Sequence, residues 1–283
     1  MTWLVHFWLT ASLRSSFLLV PMKKFLLPAA ILFGVASLSD AANLVGWWNF
    51  DDGTASDSSG NGNNGTFQNG AGVSAAVANA TAGSQSLSLG GGTQHVLVPH
   101  DPSLTLTSEI TITAWVRPSG TGWGGIVAKS PSDGGGANHA GNYELRLQAN
   151  ANQSVQWLYE QGPGINSTVT LTAPGAGPAV GQWSHIALTH DSGGNFTYYL
   201  NGASVSSGTG PTFGTLTNAN PLYLGSRADL FTTFTGDLDE ISIWDGALTG
   251  GEVADIFANG IPEPSSALLG LVGLAGLAFR RRR

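Results

Sequence analysis

Several groups of residues have types and spacings that could do chemistry. From Asp57 to Gly65 the chain reads Asp-Ser-Ser-Gly-Asn-Gly-Asn-Asn-Gly. A loop so rich in side-chain oxygens and glycine suits a hard cation, which takes oxygen ligands in flexible geometry. It equally suits a plain turn, because Asp, Asn and Gly are turn formers. The Asp-x-Asp-x-Asp-Gly order of an EF-hand is absent. A second group is Asp237-Leu238-Asp239-Glu240. On a strand, Asp237 and Asp239 share a face about 7 Å apart, and glycosidic hydrolysis uses two carboxylates, about 5–5.5 Å apart in retaining enzymes.

Other reactive residues are less persuasive. His95, His100, His185 and His190 form two pairs spaced by five, which suits neither one strand face nor one helix face. With no cysteine and no His-Glu-x-x-His, no zinc site is assigned. No Gly-x-Ser-x-Gly turn supports a serine nucleophile. Trp123 stands in Gly120-Thr121-Gly122-Trp123-Gly124-Gly125, without apolar neighbours, where an exposed indole could stack on a sugar ring. It could also fold back over a sheet edge, and the general burial of tryptophan favours that.

The elements that must position these residues are short strands. Apolar alternation and turn clusters mark strands at Leu44–Phe50, Gln94–Val98, Ile110–Arg117, Ile126–Lys129, Tyr143–Gln148, Val155–Tyr159, Thr168–Thr172, Trp183–Thr189, Phe196–Leu200, Leu222–Leu224 and Gly236–Trp244. Ile110, Ile112, Ala114 and Val116 share one face, as do Ile241 and Ile243. Trp115 and Trp183 lie in apolar strands and read as core. Asn201-Gly202 predicts a type I′ hairpin turn. The one helix expected is Gly251–Ala258, with Thr249 and Glu252 as a capping box and Gly260 as its stop. Many short strands with no long helix indicate a two-sheet sandwich or jelly roll.

The motifs also form an ordered set. Gly46-Trp47-Trp48-Asn49-Phe50-Asp51 is followed by the Asp57–Thr66 loop, Ser86-Leu87-Ser88-Leu89-Gly90, Ile112 to Pro118, and Trp183-Ser184-His185-Ile186-Ala187-Leu188-Thr189. Tyr199-Leu200-Asn201-Gly202, Leu222-Tyr223-Leu224-Gly225 and Gly236 to Ile241 complete it. Over residues 43–260 this order resembles the LamG-like domain of the concanavalin A-like superfamily. The resemblance implies an all-β fold, an antiparallel two-sheet jelly-roll sandwich. It further implies a structural Ca2+ held by Asp51, Asp57, Asn61 and Asp239, with a plain turn and a backbone-bonded Asp239 as the alternative. Some members of the superfamily are glycosidases. Asp237 to Ser242 resembles the Glu-x-Asp-x-x-Glu strand of the laminarinase-type enzymes, but begins with Asp and has Ser242 where the acid/base Glu belongs. No catalytic residue is therefore assigned.

The two ends read as address segments. Met22-Lys23-Lys24, the apolar run Phe25 to Leu38 and Ser39-Asp40-Ala41 make a signal peptide over 22–41. Residues 1–21 are read as an extension from a mis-called start codon. At the other end, Ile261-Pro262-Glu263-Pro264 leads into an apolar run, Ala267 to Phe279, and then Arg280, Arg281, Arg282 and Arg283. Apolar residues followed by an arginine cluster follow the positive-inside pattern. A helix of that length covers only about 20 Å of a core roughly 30 Å thick. Residues 261–283 closely resemble the PEP-CTERM sorting signal. That resemblance implies recognition by an exosortase in the inner membrane of a Gram-negative bacterium and removal near Pro-Glu-Pro, after signal peptidase has acted at the N-terminus.

The ends also hide the charge of the body. Of 11 Lys and Arg and 18 Asp and Glu, four basic and seventeen acidic residues lie between Asn43 and Pro264, giving that stretch a formal charge of −13. Nucleic acid is excluded as a partner, since binding it needs cations to neutralise phosphates. The expected function is an exported surface or extracellular-matrix protein whose domain binds carbohydrate or a matrix protein without catalysis. The alternatives are a glycoside-active enzyme using Asp237, Asp239 or Glu240, and a purely structural biofilm protein.

Overall fold

The computed structural model describes residues 42–79, 81–129, 142–161, 168–175, 177–213 and 218–262. The signal peptide and the sorting segment beyond Pro262 lie outside them. Among the described residues, no helix is long and apolar enough to cross a membrane.

In chain order the strands are β1 (Leu44–Trp48), β2 (Thr66–Gln68), β3 (Gly72–Ser74), β4 (Ser86–Gly90), β5 (His95–Val98), β6 (Ile110–Pro118), β7 (Gly124–Lys129) and β8 (Tyr143–Leu147). There follow β9 (Val155–Glu160), β10 (Thr168–Thr172), β11 (Ser184–His190), β12 (Asn195–Leu200), β13 (Ala203–Thr209), β14 (Leu222–Leu224), β15 (Thr235–Trp244) and the helix α1 (Gly250–Asn259). One sheet runs β13-β12-β11-β6-β15-β4-β3, with β1 also paired to β15, and the other runs β10-β9-β8-β7-β14-β5-β2. The ladders are antiparallel, as in β6 against β11 and β15, or β8 against β7 and β9. The sandwich expected from the alternation is present.

Between the sheets lie the inward side chains of both. Ile112, Ala114, Val116, Ile186, Leu188 and Ile243 meet Leu145, Leu147, Trp157, Leu222 and Val96 in one buried cluster. Burying such side chains contributes about 1.5–3 kcal/mol each, which is what fixes the strand register. The hairpin β12–β13 turns on Asn201 (φ 50°) and Gly202 (φ 77°), the pair of positive angles a type I′ turn requires.

On β15 the alternation breaks. Leu238 and Ile241 both point into the core although three positions apart. A bulge between Asp239 and Ser242 in the pairing with β6 resolves this, with Glu240 at φ 49°. The bulge falls where β15 changes partner, from β4 (Leu238 opposite Leu87) to β1 (Ile241 opposite Trp48). The helix α1 covers the outer side of the same sheet, where Val253, Ile256 and Ile261 pack with Trp47, Ala187 and Tyr199. Thr249 caps it as anticipated: its hydroxyl accepts from the Glu252 N–H, and the Glu252 carboxylate accepts from the Thr249 N–H at 2.7 Å.

Candidate functional site

Trp123 immediately precedes β7, and its ring is half-buried. The guanidinium carbon of Arg146 lies 4.6 Å from the centroid of the Trp123 ring, within cation–π range. Arg146 stands on β8, whose Tyr143, Leu145 and Leu147 point into the core, so Glu144 and Arg146 occupy the outer face. Arg146 Nε donates to Gln156 Oε1 at 3.1 Å, and its Nη1 to Glu144 Oε1 at 3.4 Å. Glu144 also faces Arg227 at 3.6 Å and accepts from the Thr232 hydroxyl at 3.2 Å. Phe231, an exposed ring 5.6 Å from Arg227, ends this row, in which two aromatic rings flank three charged groups.

Beside Trp123 lies a cavity of about 190 Å³, lined by Pro118, Ser119, Trp123, Gln153, Phe234 and Thr235 among others. Gln153 is buried and left-handed, at φ 46°, and its amide donates to the Gly122 carbonyl at 3.4 Å. A side chain held in that backbone region stores strain of order 1–3 kcal/mol, the kind of feature that clusters at ligand clamps. Sequence reasoning found Trp123 but neither Arg146 nor Gln153. The available signal was scarcity, since Arg146 is one of four basic residues in the body and interrupts an apolar strand.

The acidic residues sit elsewhere, at the partner change of β15. Asp239 is fully buried; its Oδ1 accepts from the Glu240 N–H at 2.9 Å, while its Oδ2 has no hydrogen-bond donor. Burial, then the neighbouring charges of Glu240 and Asp51, push its carboxyl up to about 9. Glu240 Oε2 accepts from the Trp47 indole at 2.8 Å. Asp51 follows β1 and bridges the gap to β4: its Oδ1 accepts from the Ser84 N–H at 2.5 Å and the Gln85 N–H at 3.1 Å. Asp51 and Glu240 thus lie near enough to Asp239, at the split between β1 and β4, for their charges to act on it.

The loop residues behave differently. Asp57 Oδ1 accepts from the N–H groups of Trp47 and Ser59, each at 2.9 Å, and its Oδ2 from the Asn63 N–H at 2.9 Å. The Asn61 amide donates to the carbonyls of Leu44 at 2.7 Å and Val45 at 3.1 Å. Both residues thus lash their loop to β1. Among the described residues no three of His, Cys, Asp and Glu form a group that could hold a metal.

The paired-carboxylate strand is also occupied internally. Asp237 takes Arg117 through Nε at 2.9 Å and Nη2 at 2.6 Å, and Ser242 shares a 2.7 Å hydroxyl contact with Thr113. Trp183 departs from the core expectation. It precedes β11, is half-buried and carries the Arg117 guanidinium 5.3 Å from its ring. Trp115 is buried, though on the outer face beneath α1, 5.5 Å from Phe257 and 5.4 Å from His185.

Among solved structures, domain 4 of AbnA, an extracellular GH43 arabinanase from Geobacillus stearothermophilus, in complex with arabinotriose, superposes with a TM-score of 0.56 at 23% identity. The match covers 76% of this chain and 98% of that one. The binding domain of Paraclostridial Mosquitocidal Protein 1 superposes with a TM-score of 0.57 at 19% identity, covering 76% of this chain and 52% of that one. The adhesion G-protein coupled receptor V1 of Danio rerio is 23% identical over 153 residues, 53% of this chain but 2% of the receptor. Residues 260–283 match the PEP-CTERM protein-sorting motif. Residues 90–254 match the family model of the concanavalin A-like lectin/glucanases superfamily, and the chain belongs to that superfamily.

Proposed function

We propose that this chain is an exported, non-enzymatic carbohydrate-binding module, with the Trp123 cavity as its sugar subsite and Ca2+ as a structural clamp. The observation that carries the reading is the Trp123 ring, held 4.6 Å from Arg146 and forming a wall of the cavity. Aromatic faces stack on the apolar faces of sugar rings, and a ring already fixed by its neighbours loses little freedom on binding. The cavity, about 190 Å³, is smaller than the roughly 300–1,000 Å³ of a drug-sized pocket, which suits one ring or a chain end.

The calcium reading rests on the orphaned Oδ2 of Asp239 beside Asp51. A buried carboxyl oxygen without a donor is what a cation would compensate. Asp51 and Asp239 would hold the ion, with carbonyls and water completing its shell. Asp57, with its oxygens already engaged, would support the loop without touching the ion. The sorting motif marks an exported surface protein. In this reading an exosortase cuts near Pro262-Glu263-Pro264, so the inner membrane holds the chain only until then, and signal peptidase removes the leader.

Titration of the full-length chain, in detergent, with arabinotriose and neutral hexose trimers tests the subsite by tryptophan fluorescence. Saturable binding that Trp123→Ala weakens supports it. Absence of binding, or binding indifferent to that substitution, overturns it. Sugar release that Asp239→Asn abolishes would replace it with the enzyme.

A further inference from the structure

The described chain contains a buried lysine that the sugar subsite does not use. Lys129 ends β7, the strand that Trp123 immediately precedes, so the two lie about 20 Å apart along it. Its side chain is 0% exposed. The Nζ donates to the Asn220 carbonyl at 2.5 Å and to His100 Nδ1 at 3.2 Å. Among the described residues no Asp or Glu makes an ion pair with it. A buried ammonium with only neutral partners is costly, and natural proteins seldom keep one without a counter-charge or a use for it. Burial pushes its pKa down to about 8, which still leaves it mostly charged at neutral pH.

The ammonium has a consequence for His100. Because Lys129 donates to Nδ1, that nitrogen is an acceptor, and the neutral ring carries its proton on Nε2. His100 is exposed and lines an open cleft of about 480 Å³ with Pro102, Thr105, Asn218 and Ala219. Asn218 Oδ1 accepts from the Asn220 N–H at 3.1 Å, which leaves the amide N–H2 as the group it can offer a ligand. Asp101, next along the chain, turns one carboxylate oxygen to the Ser103 N–H at 2.8 Å. The cleft therefore pairs hydrogen-bond donors with a cation, one ring behind them, that makes no ion pair among the described residues, on a body whose formal charge is otherwise strongly negative.

We propose that this cleft binds a carboxylate borne on a sugar, such as a uronic acid residue of an acidic polysaccharide. A carboxylate oxygen accepts from His100 Nε2–H, and the Lys129 ammonium behind the ring supplies the opposing charge. Pro102 offers an apolar surface to the ring face, and Asn218 a donor to a hydroxyl. The site is separate from the Trp123 subsite, although the choice of a sugar as carrier rests on the carbohydrate-binding reading.

Calorimetric titration of the full-length chain in detergent with trigalacturonate, a neutral galactose trimer and sodium acetate tests the proposal. Trigalacturonate is expected to bind at least tenfold more tightly than the neutral trimer, and His100→Ala and Lys129→Met are each expected to remove that advantage. Acetate should compete only weakly; acetate binding as tightly as trigalacturonate would show a small-carboxylate site instead. Equal affinity for the charged and neutral trimers, or an advantage that survives His100→Ala, overturns the proposal. His100 is exposed, so its variant decides the matter should Lys129→Met fold poorly. Trp123→Ala separates the two sites: loss of neutral-sugar binding with trigalacturonate binding retained leaves this cleft standing, and loss of both places trigalacturonate at the Trp123 subsite and overturns the proposal.

Discussion

Arg146 lies 4.6 Å from the Trp123 ring while its Nη1 reaches Glu144 at 3.4 Å, so one guanidinium both supports the platform and neutralises a buried acid. Their substitutions should therefore separate. Trp123→Ala removes a half-buried ring from a loop and is expected to weaken sugar binding about tenfold, or about 1.4 kcal/mol, with little effect on stability. Arg146→Met leaves Glu144 with one cation fewer in a buried setting, and breaking such a pair costs about 3–5 kcal/mol. It should lower the unfolding midpoint sharply, which urea denaturation of both variants would show.

Asp239 makes the calcium reading sensitive to pH. Its carboxyl is raised from 3.8 to about 9, so its contribution to stability is full below about pH 4 and is lost as pH rises through 9. With calcium chelated, the stability of the parent should fall over that window relative to Asp239→Asn. With calcium present the carboxylate has its counter-charge, and the fall should flatten. Binding at pH 7 should release a proton, measurable as a buffer-dependent heat. A pH slope unchanged by calcium would remove the ion from the Asp51–Asp239 notch.

Gly83 gives an independent handle on that notch. It adopts φ 72°, and a Cβ placed on it would overlap the Asp51 carboxylate. Gly83→Ala is expected to displace Asp51 from the Ser84 and Gln85 N–H groups that now orient it. Calcium-dependent protection against unfolding should diminish, while sugar binding at the distant Trp123 cavity stays intact. Melting curves with calcium and with chelator would check this.

The fold was legible because alternation along β6 and β11 records two faces directly: Ile112, Ala114, Ile186 and Leu188 inward, with Ala187 outward under the helix. The site was legible only in part. Trp123 stood out by its glycine neighbours, whereas its support by Arg146 is a contact between residues 23 positions apart. Period-two reading of β15 could not anticipate that a bulge at Glu240 turns Leu238 and Ile241 to the same side. Asp57 and Asn61 share the Asp/Asn/Gly composition of a cation loop, yet hydrogen bonds to β1 account for their presence. Trp183 reads as core because it opens the pattern that continues through Ile186, Ala187 and Leu188, but it comes one residue before the strand that buries them.

His185 supplies a last prediction, of opposite sign to that for Asp239. It lies on the outer face of β11, buried against Trp115 and Phe257, and its Nδ1 has no hydrogen-bond partner. Burial pushes its pKa down to about 4, below the 6.5 of the unfolded chain. Between those values the unfolded chain binds a proton that the folded protein refuses, so stability falls as pH drops from 6.5 towards 4. A shift of that size corresponds to about 3 kcal/mol at most. His185→Gln, which cannot take up that proton, should flatten the acid limb even if it lowers stability at pH 7. Urea midpoints at pH 7 and pH 4.5 for both proteins measure the difference, and parallel losses in the two would show that His185 does not titrate in this window.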